Sequence, residues 1–177
     1  MRVVKVVVAV VLAMVGLAPV AVARSGEPVG LPVIIAEAVA LAAGEHPGSE
    51  VYGAYGTFAA PTSDPGEATE WLIGFGTDGE GGDFAYAYAP DGTFVEARAW
   101  ERPASGVGPL GQLDLTQWDA VVRLRDAGID GAFDAVAVRH PAVFEGEPTY
   151  YFCLVDGRET VSVGAWTGGV ETGVSPC

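Results

Sequence analysis

Phe84-Ala85-Tyr86-Ala87-Tyr88-Ala89-Pro90-Asp91-Gly92-Thr93-Phe94 is the stretch from which the fold is best read. Side chains along a strand alternate between two faces, so Phe84, Tyr86 and Tyr88 share one side and Ala85, Ala87 and Ala89 the other. Pro90 presets its own φ and Gly92 admits a positive one, which makes Pro90-Asp91-Gly92 a turn. Thr93 to Trp100 is then the returning strand of an antiparallel hairpin. The hairpin has one aromatic face and one face of small residues.

Toward the N-terminus, Thr69 to Gly76 alternates in the same way, with Trp71, Ile73 and Phe75 on one side. Val51 to Ala59, rich in Tyr, Gly and Phe, reads as another strand. Before it, Leu31 to Ala43 reads as a helix, with Pro32 in the first turn and Gly44 just past the end. Ile34, Ile35, Ala38, Val39, Leu41 and Ala42 cover most of its circumference, which predicts a largely buried helix.

Toward the C-terminus, Arg102 to Gln112 is rich in Pro and Gly and reads as a linker. A second helix is expected over Leu115 to Ala127, with Asp114 as N-cap, Gln117 as capping-box partner and Gly128 as terminator. Strands follow at Phe133 to Arg139, Thr149 to Val155, Thr160 to Trp166 and Val170 to Val174. Asp156-Gly157 and Thr167-Gly168-Gly169 supply the turns.

The two stretches repeat one order: helix, two strands, hairpin. Ala38-Val39 aligns with Ala120-Val121, Glu70-Trp71-Leu72 with Tyr150-Tyr151-Phe152, and Ala89 to Phe94 with Ala165 to Val170. The expected class is α+β, in two similar halves, each a helix packed on a small antiparallel sheet. The boundaries are 1–23 (leader), 24–101 (first repeat), 102–112 (linker) and 113–177 (second repeat).

The leader explains the hydropathy of the N-terminus. Arg2 and Lys5 precede the uncharged run Val6 to Val20, and Ala21-Val22-Ala23 places small residues where signal peptidase cuts. The run is shorter than the ~20 residues a membrane-spanning helix needs. No cysteine lies near the cut, which argues against a lipid anchor there. Cleavage after Ala23 leaves 154 residues with seven Arg, no Lys and all 23 acidic residues, a formal charge of −16. Such a chain is secreted or periplasmic, expected as a monomer, and a poor ligand for nucleic acid or an anionic membrane, both of which need clustered Lys and Arg.

Several chemistries are excluded by residue count or pattern. With no lysine left after cleavage, Schiff-base catalysis and Walker-type phosphate grips are ruled out. There is no Gly-X-Ser-X-Gly elbow. His46 and His140 each precede a proline, which places them in loops, and they form no zinc pattern. No catalytic residues and no cofactor are expected. Cys153 and Cys177, an even pair in an exported chain, read as a disulfide. It would close a loop of about 25 residues and contribute roughly 3 kcal/mol in the chain-entropy account.

The Ala-rich helix, the two strands and the hairpin closed by Asp-Gly or Thr-Gly resemble the PepSY-type secreted module, here in tandem over Leu31 to Val174. The closing hairpin is Val161-Ser162-Val163-Gly164-Ala165-Trp166-Thr167-Gly168-Gly169-Val170. The chain is also loosely similar to secreted β-lactamase-inhibitor proteins, which are duplicated helix-plus-sheet units. The resemblance implies an exported binding or inhibitory role. Two departures are Trp166, where the family has an acidic residue, and a long loop from Ala60 to Glu67.

Trp71, Phe75, Phe84, Tyr86, Tyr88 and Trp100 are expected to share one face of the first-half sheet. If the Ala-rich helix packs on the small-residue side, these six form an outward aromatic binding face, since Trp and Tyr dominate interaction hot spots. If it packs on the aromatic side, they are core. The expectation carried forward is the first: a secreted, non-enzymatic, inhibitor-like binding module whose partner is an extracellular or periplasmic enzyme. The alternative is an exported small-ligand or calcium-binding protein, with Asp78, Glu80 and Asp83 of a Gly-rich acidic loop as oxygen ligands.

Overall fold

The computed structural model describes residues 26–77, 82–101, 108–141, 146–155 and 159–173. The leader, Asp78 and Glu80 of the candidate calcium loop, and Cys177 lie outside the described residues.

The elements are α1 (Leu31–Glu45), β1 (Glu50–Thr62), β2 (Ala68–Gly76), β3 (Phe84–Tyr88), β4 (Phe94–Ala99), α2 (Gln117–Asp126), β5 (Phe133–Arg139), β6 (Thr149–Leu154), β7 (Thr160–Gly164) and β8 (Val170–Thr172). The class is α+β, dominated by one sheet in the order β4-β3-β2-β1-β5-β6-β7-β8. Every neighbouring pair is antiparallel. The expected pair of small sheets is thus replaced by a single sheet. It forms because β1 pairs with β5 over Gly53–Thr57 and Arg139–Ala135. Two separate sheets would each leave a long strand edge with unpaired backbone groups, and the pairing removes both.

The hairpin turning at Pro90-Asp91-Gly92 is present. Ala89 N–H donates to Thr93 C=O and Gly92 N–H to Ala89 C=O, each at 2.9 Å. β1 is longer than its sequence suggested and runs through Ala59-Ala60-Pro61 to Thr62, so the expected long loop shrinks to a few residues around a 3₁₀ turn at Pro65–Glu67. Pro61 is tolerated where the β1 ladder has become irregular, between Thr57 and Thr62.

Both helices pack against the sheet, and the core lies between. In α1, Leu31, Ile34, Ile35, Ala38 and Ala42 are buried. Val33 and Val39 stay nearly half exposed. The helix is therefore buried along one stripe rather than all round. α2 starts later than expected. Its N-cap is Thr116, whose hydroxyl accepts from Asp119 N–H while Asp119 accepts from Thr116 N–H. Asp114 and Gln117 do not form the box.

Gln117 has another role. It is 1% exposed and its side chain reaches the start of α1. Its Oε1 accepts from Leu31 N–H at 2.7 Å and its Nε2 donates to Val29 C=O at 3.0 Å. The first turn of α1 lacks a side-chain cap of its own, so Gln117 satisfies a donor that would otherwise be orphaned. The connection before α2 is also more than a linker: Leu110 is fully buried, and its N–H donates to Val51 C=O.

Cys153 is disulfide-bonded, and no cysteine among the described residues is free. Among the described residues no helix is long and apolar enough to cross a membrane.

Candidate functional site on the helix-free face

The strand registers sort every sheet residue onto one of two faces. On the face beneath the helices, one row across the strands is Tyr88, Trp71, Gly56, Val136, Phe152, Val161. The next is Tyr86, Ile73, Ala54, Val138, Tyr150, Val163. Phe75 and Phe84 pair in a third.

Five of the six aromatics therefore share a face, as their alternation predicted, but it is the covered one. Trp71 is 1% exposed, Phe75 and Tyr86 0% and Tyr88 2%. Phe84 packs against the same core and stacks on Phe75 at 5.0 Å. The outward aromatic face does not exist, because the helices bury far more apolar surface on rings than on Ala and Gly. The buried hydroxyls find partners: Tyr86 donates to Glu45 at 2.7 Å and Tyr150 to Leu115 C=O at 2.7 Å. Burial, with the Glu45 charge behind it, pushes the Tyr88 phenol up to about 12.

Trp100 is the exception. It follows β4 in the opposite phase and lies across Gly74 on the helix-free face. A Cβ at Gly74 would stand 2.5 Å from its indole. The neighbours there are residues that sequence reasoning passed over. One row runs Glu96, Ala87, Leu72, Tyr55, Ala137, Tyr151, Ser162, Glu171. The next runs Arg98, Ala85, Gly74, Gly53, Arg139, Thr149, Gly164. The signal was available in Tyr55 and Tyr151, whose phase is opposite to that of Trp71 and Tyr150, but it needs the pairing of β1 with β5 to bring them together.

Tyr55 and Trp100 face each other at 6.3 Å. Arg139 places its guanidinium 4.4 Å from the centre of the Tyr151 ring. Burial raises both the Tyr55 and the Tyr151 phenols, and the Arg139 charge works against that rise in each. No carboxylate pairs with Arg139 among the described residues, whereas Arg98 on the same face is gripped by Glu70 and Glu96 at 2.7 and 2.6 Å.

Two adjoining hollows result. One, about 330 Å³, is lined by Tyr55, Thr57, Ala135, Ala137, Arg139 and Tyr151 among others. The second, about 490 Å³, lies beyond Tyr151 toward Glu147, Trp166 and Glu171. The rim of the second is fixed by Glu147, which accepts from the backbone N–H groups of Trp166 and Thr167 at 2.6 and 2.9 Å and from the Thr167 hydroxyl. Burial works to raise the Glu147 carboxyl, but these hydrogen bonds outweigh it and hold the group below the usual carboxylate range. Trp166 is half exposed while its indole N–H donates to Gln112 C=O at 2.8 Å.

Among the described residues no cluster of His, Cys, Asp and Glu could hold a metal ion. Asp83 is the described residue of the calcium candidate, and its companions Asp78 and Glu80 are not described. His46 stacks on Phe84 at 4.2 Å, and His140 Nδ1 lies 3.0 Å from Gly146 C=O, so both rings are already engaged. Among the described residues the face thus offers a hollow, ring surface and Arg139, a cation without a carboxylate partner.

No protein-family model matches the chain, and no curated protein does. Among solved structures, the chain is similar to the crystal structure of a candidate lipoprotein from Clostridium difficile 630, with a TM-score of 0.53 and 10% identity, over 84% of this chain and 98% of that one. A likeness at that identity speaks for the fold alone: this arrangement of helices on one broad antiparallel sheet is one that another chain also adopts.

Proposed function

We propose that this protein is an exported, non-catalytic binding module that meets its partner through the helix-free face of its sheet. The observation that carries this reading is the grouping of Trp100, Tyr55, Arg139 and Tyr151 around a floor of Gly and Ala. It is a concave surface on a rigid sheet, with large flat side chains held in place before any partner arrives. The aromatic contact surface lies on the face opposite to Trp71, Phe75, Tyr86 and Tyr88, which are buried.

Other readings belong to the same proposal. The leader, and the pair Cys153 and Cys177 read as a disulfide, support export to an oxidising compartment. The mirrored strand order, with one helix ahead of each four-strand meander, supports a duplicated unit and is compatible with the PepSY-like and inhibitor-like resemblance. The partner class is an extracellular or periplasmic enzyme, toward which a surface of −16 would steer a basic patch.

The test is capture from the secreted fraction of the source organism. The bait is the oxidised protein from Arg24 onward, beside a Tyr55→Ala/Trp100→Ala double variant of unchanged melting temperature. One protein enriched at stoichiometric level by the wild type and not by the variant is the expected result. Enrichment that the variant retains, or none at all, would overturn the assignment of this face.

A further inference from the structure

Arg139 is the one feature of the helix-free face that a purely structural account leaves without a purpose. The mature chain carries seven Arg against 23 acids, so a carboxylate partner would be easy to supply. Arg98, in the same cross-strand row but on the exposed edge strand β4, takes two. Arg139 takes none among the described residues. Its guanidinium stacks on Tyr151 instead, at 4.4 Å. A guanidinium held over a ring keeps its N–H donors, and those of Arg139 have no hydrogen-bond partner among the described residues.

The surroundings are built to accept something beside that edge. Ala135 and Ala137 stand in the rows of Thr57 and Tyr55, and their small side chains open the hollow of about 330 Å³ between Tyr55 and Tyr151. That volume lies in the range of small-ligand pockets, and its walls are mostly apolar. The acids on this side are Glu147, whose carboxylate lies over Gly164 two strands along the row of Arg139, and Glu171, beyond Ser162 at the far side of Tyr151. Among the described residues that line the hollow, Arg139 is the only charged one, and acids farther off are screened over a Debye length of about 8 Å at physiological salt.

We infer that this hollow binds a carboxylate attached to an apolar or aromatic body, the carboxylate paired with the Arg139 N–H edge and the body lying between the Tyr55 and Tyr151 rings. This deepens the binding-module reading and rests on it for the choice of face. The same chemistry is offered by a free aryl-alkyl acid and by the C-terminal residue of a peptide.

Isothermal titration with defined probes tests it: 3-phenylpropanoate, its neutral isostere 3-phenylpropanamide, and the tripeptide Ala-Ala-Phe with a free or an amidated C-terminus. Each is measured on the oxidised protein from Arg24 and on Arg139→Gln and Arg139→Lys, whose folding is checked by circular dichroism and melting temperature. The acids should bind at least tenfold more tightly than their amides. That preference should vanish in Arg139→Gln and survive in part in Arg139→Lys. Tighter binding of the peptide acid than of phenylpropanoate assigns the carboxylate to a peptide end, and the reverse order assigns it to a free acid. Equal binding of acids and amides, no binding by any probe, or an acid preference that Arg139→Gln retains would each overturn the inference. Because the probes contain no protein partner, such a failure is separate from the outcome of the capture experiment.

Discussion

Trp71 and Trp100 each lie across a glycine of another strand, Trp71 over Gly56 of the adjacent β1 and Trp100, past the end of β4, over Gly74 of β2, one on each face of the same sheet. A Cβ at Gly56 would stand 2.8 Å from the Trp71 ring, and one at Gly74 would stand 2.5 Å from the Trp100 ring. The local device is the same, a missing side chain that lets an indole lie flat. The outcome differs because helices cover the first and nothing among the described elements packs over the second. Trp71 is 1% exposed and locked in the core; Trp100 shares its face with Tyr55, Arg139 and Tyr151. Aromatic content by itself is thus silent on function, and coverage by other elements separates core from contact surface.

The largest expected contrast breaks or keeps this comparison directly. Trp71→Ala should destabilise the fold by about 3–5 kcal/mol, the usual cost of emptying a large buried site. Trp100→Ala should cost no more than about 1 kcal/mol, as for a partly exposed side chain. Urea denaturation of both variants reads the difference, and equal costs would mean that the two faces are not distinct in the way described.

Alkaline titration sharpens the same contrast. The Tyr88 phenol is pushed up to about 12 from an ordinary 10.0, and Tyr86 and Tyr150 are raised further by burial. A raised pKa means the folded state keeps its proton longer. The stability these groups contribute is full below pH about 10 and falls as the pH climbs through their folded values. In a Tyr55→Phe/Tyr151→Phe variant, which removes the phenols of the helix-free face, the phenolate absorbance of Tyr86, Tyr88 and Tyr150 should therefore rise in one cooperative step together with unfolding. Full phenolate absorbance in that variant while it is still folded by circular dichroism would show that the helix-face rings are accessible.

Gln117→Ala comes next, on the covered side. It leaves the Leu31 N–H and the Val29 C=O without their partner, and a loss of about 1–3 kcal/mol is expected for buried groups left unsatisfied. The loss should appear as faster hydrogen exchange in the first turn of α1, and unchanged exchange there would remove the coupling between the helices.

The smallest effect belongs to the helix-free side. Glu147 sits below its ordinary 4.5, so the stability it contributes is present above that pH and is lost as the pH falls through its lower folded value. Melting temperatures of the wild type and Glu147→Gln should differ at pH 7 and converge toward pH 3. A constant gap would assign the role of Glu147 to its shape rather than its charge.

Much of this was legible along the chain. Alternation in Phe84 to Tyr88 and in Trp71 to Phe75 predicted which residues share a face, because side-chain direction in a strand depends only on parity. The turn at Pro90-Asp91-Gly92 and the positions of both helices are local matters and were read correctly to within a few residues. Where local signals compete, the reading slipped. Asp114 and Thr116 are both good N-caps, and only the packing of α2 selects Thr116. The β1 strand continues through Ala59-Ala60-Pro61, which has little strand propensity of its own, and its last paired residue, Thr62, meets Phe133 across the sheet.

What no local signal carries is the pairing of β1 with β5 and the choice of face for the helices. The first joins residues some 80 positions apart, such as Tyr55 and Ala137, and brings Tyr55, Arg139 and Tyr151 into one hollow. The second rests on a difference in buried area between two faces that periodicity treats as equivalents. Parity along each strand was therefore written in the residues, while coverage and neighbourhood, which convert parity into core or contact surface, were decided only when distant strands met.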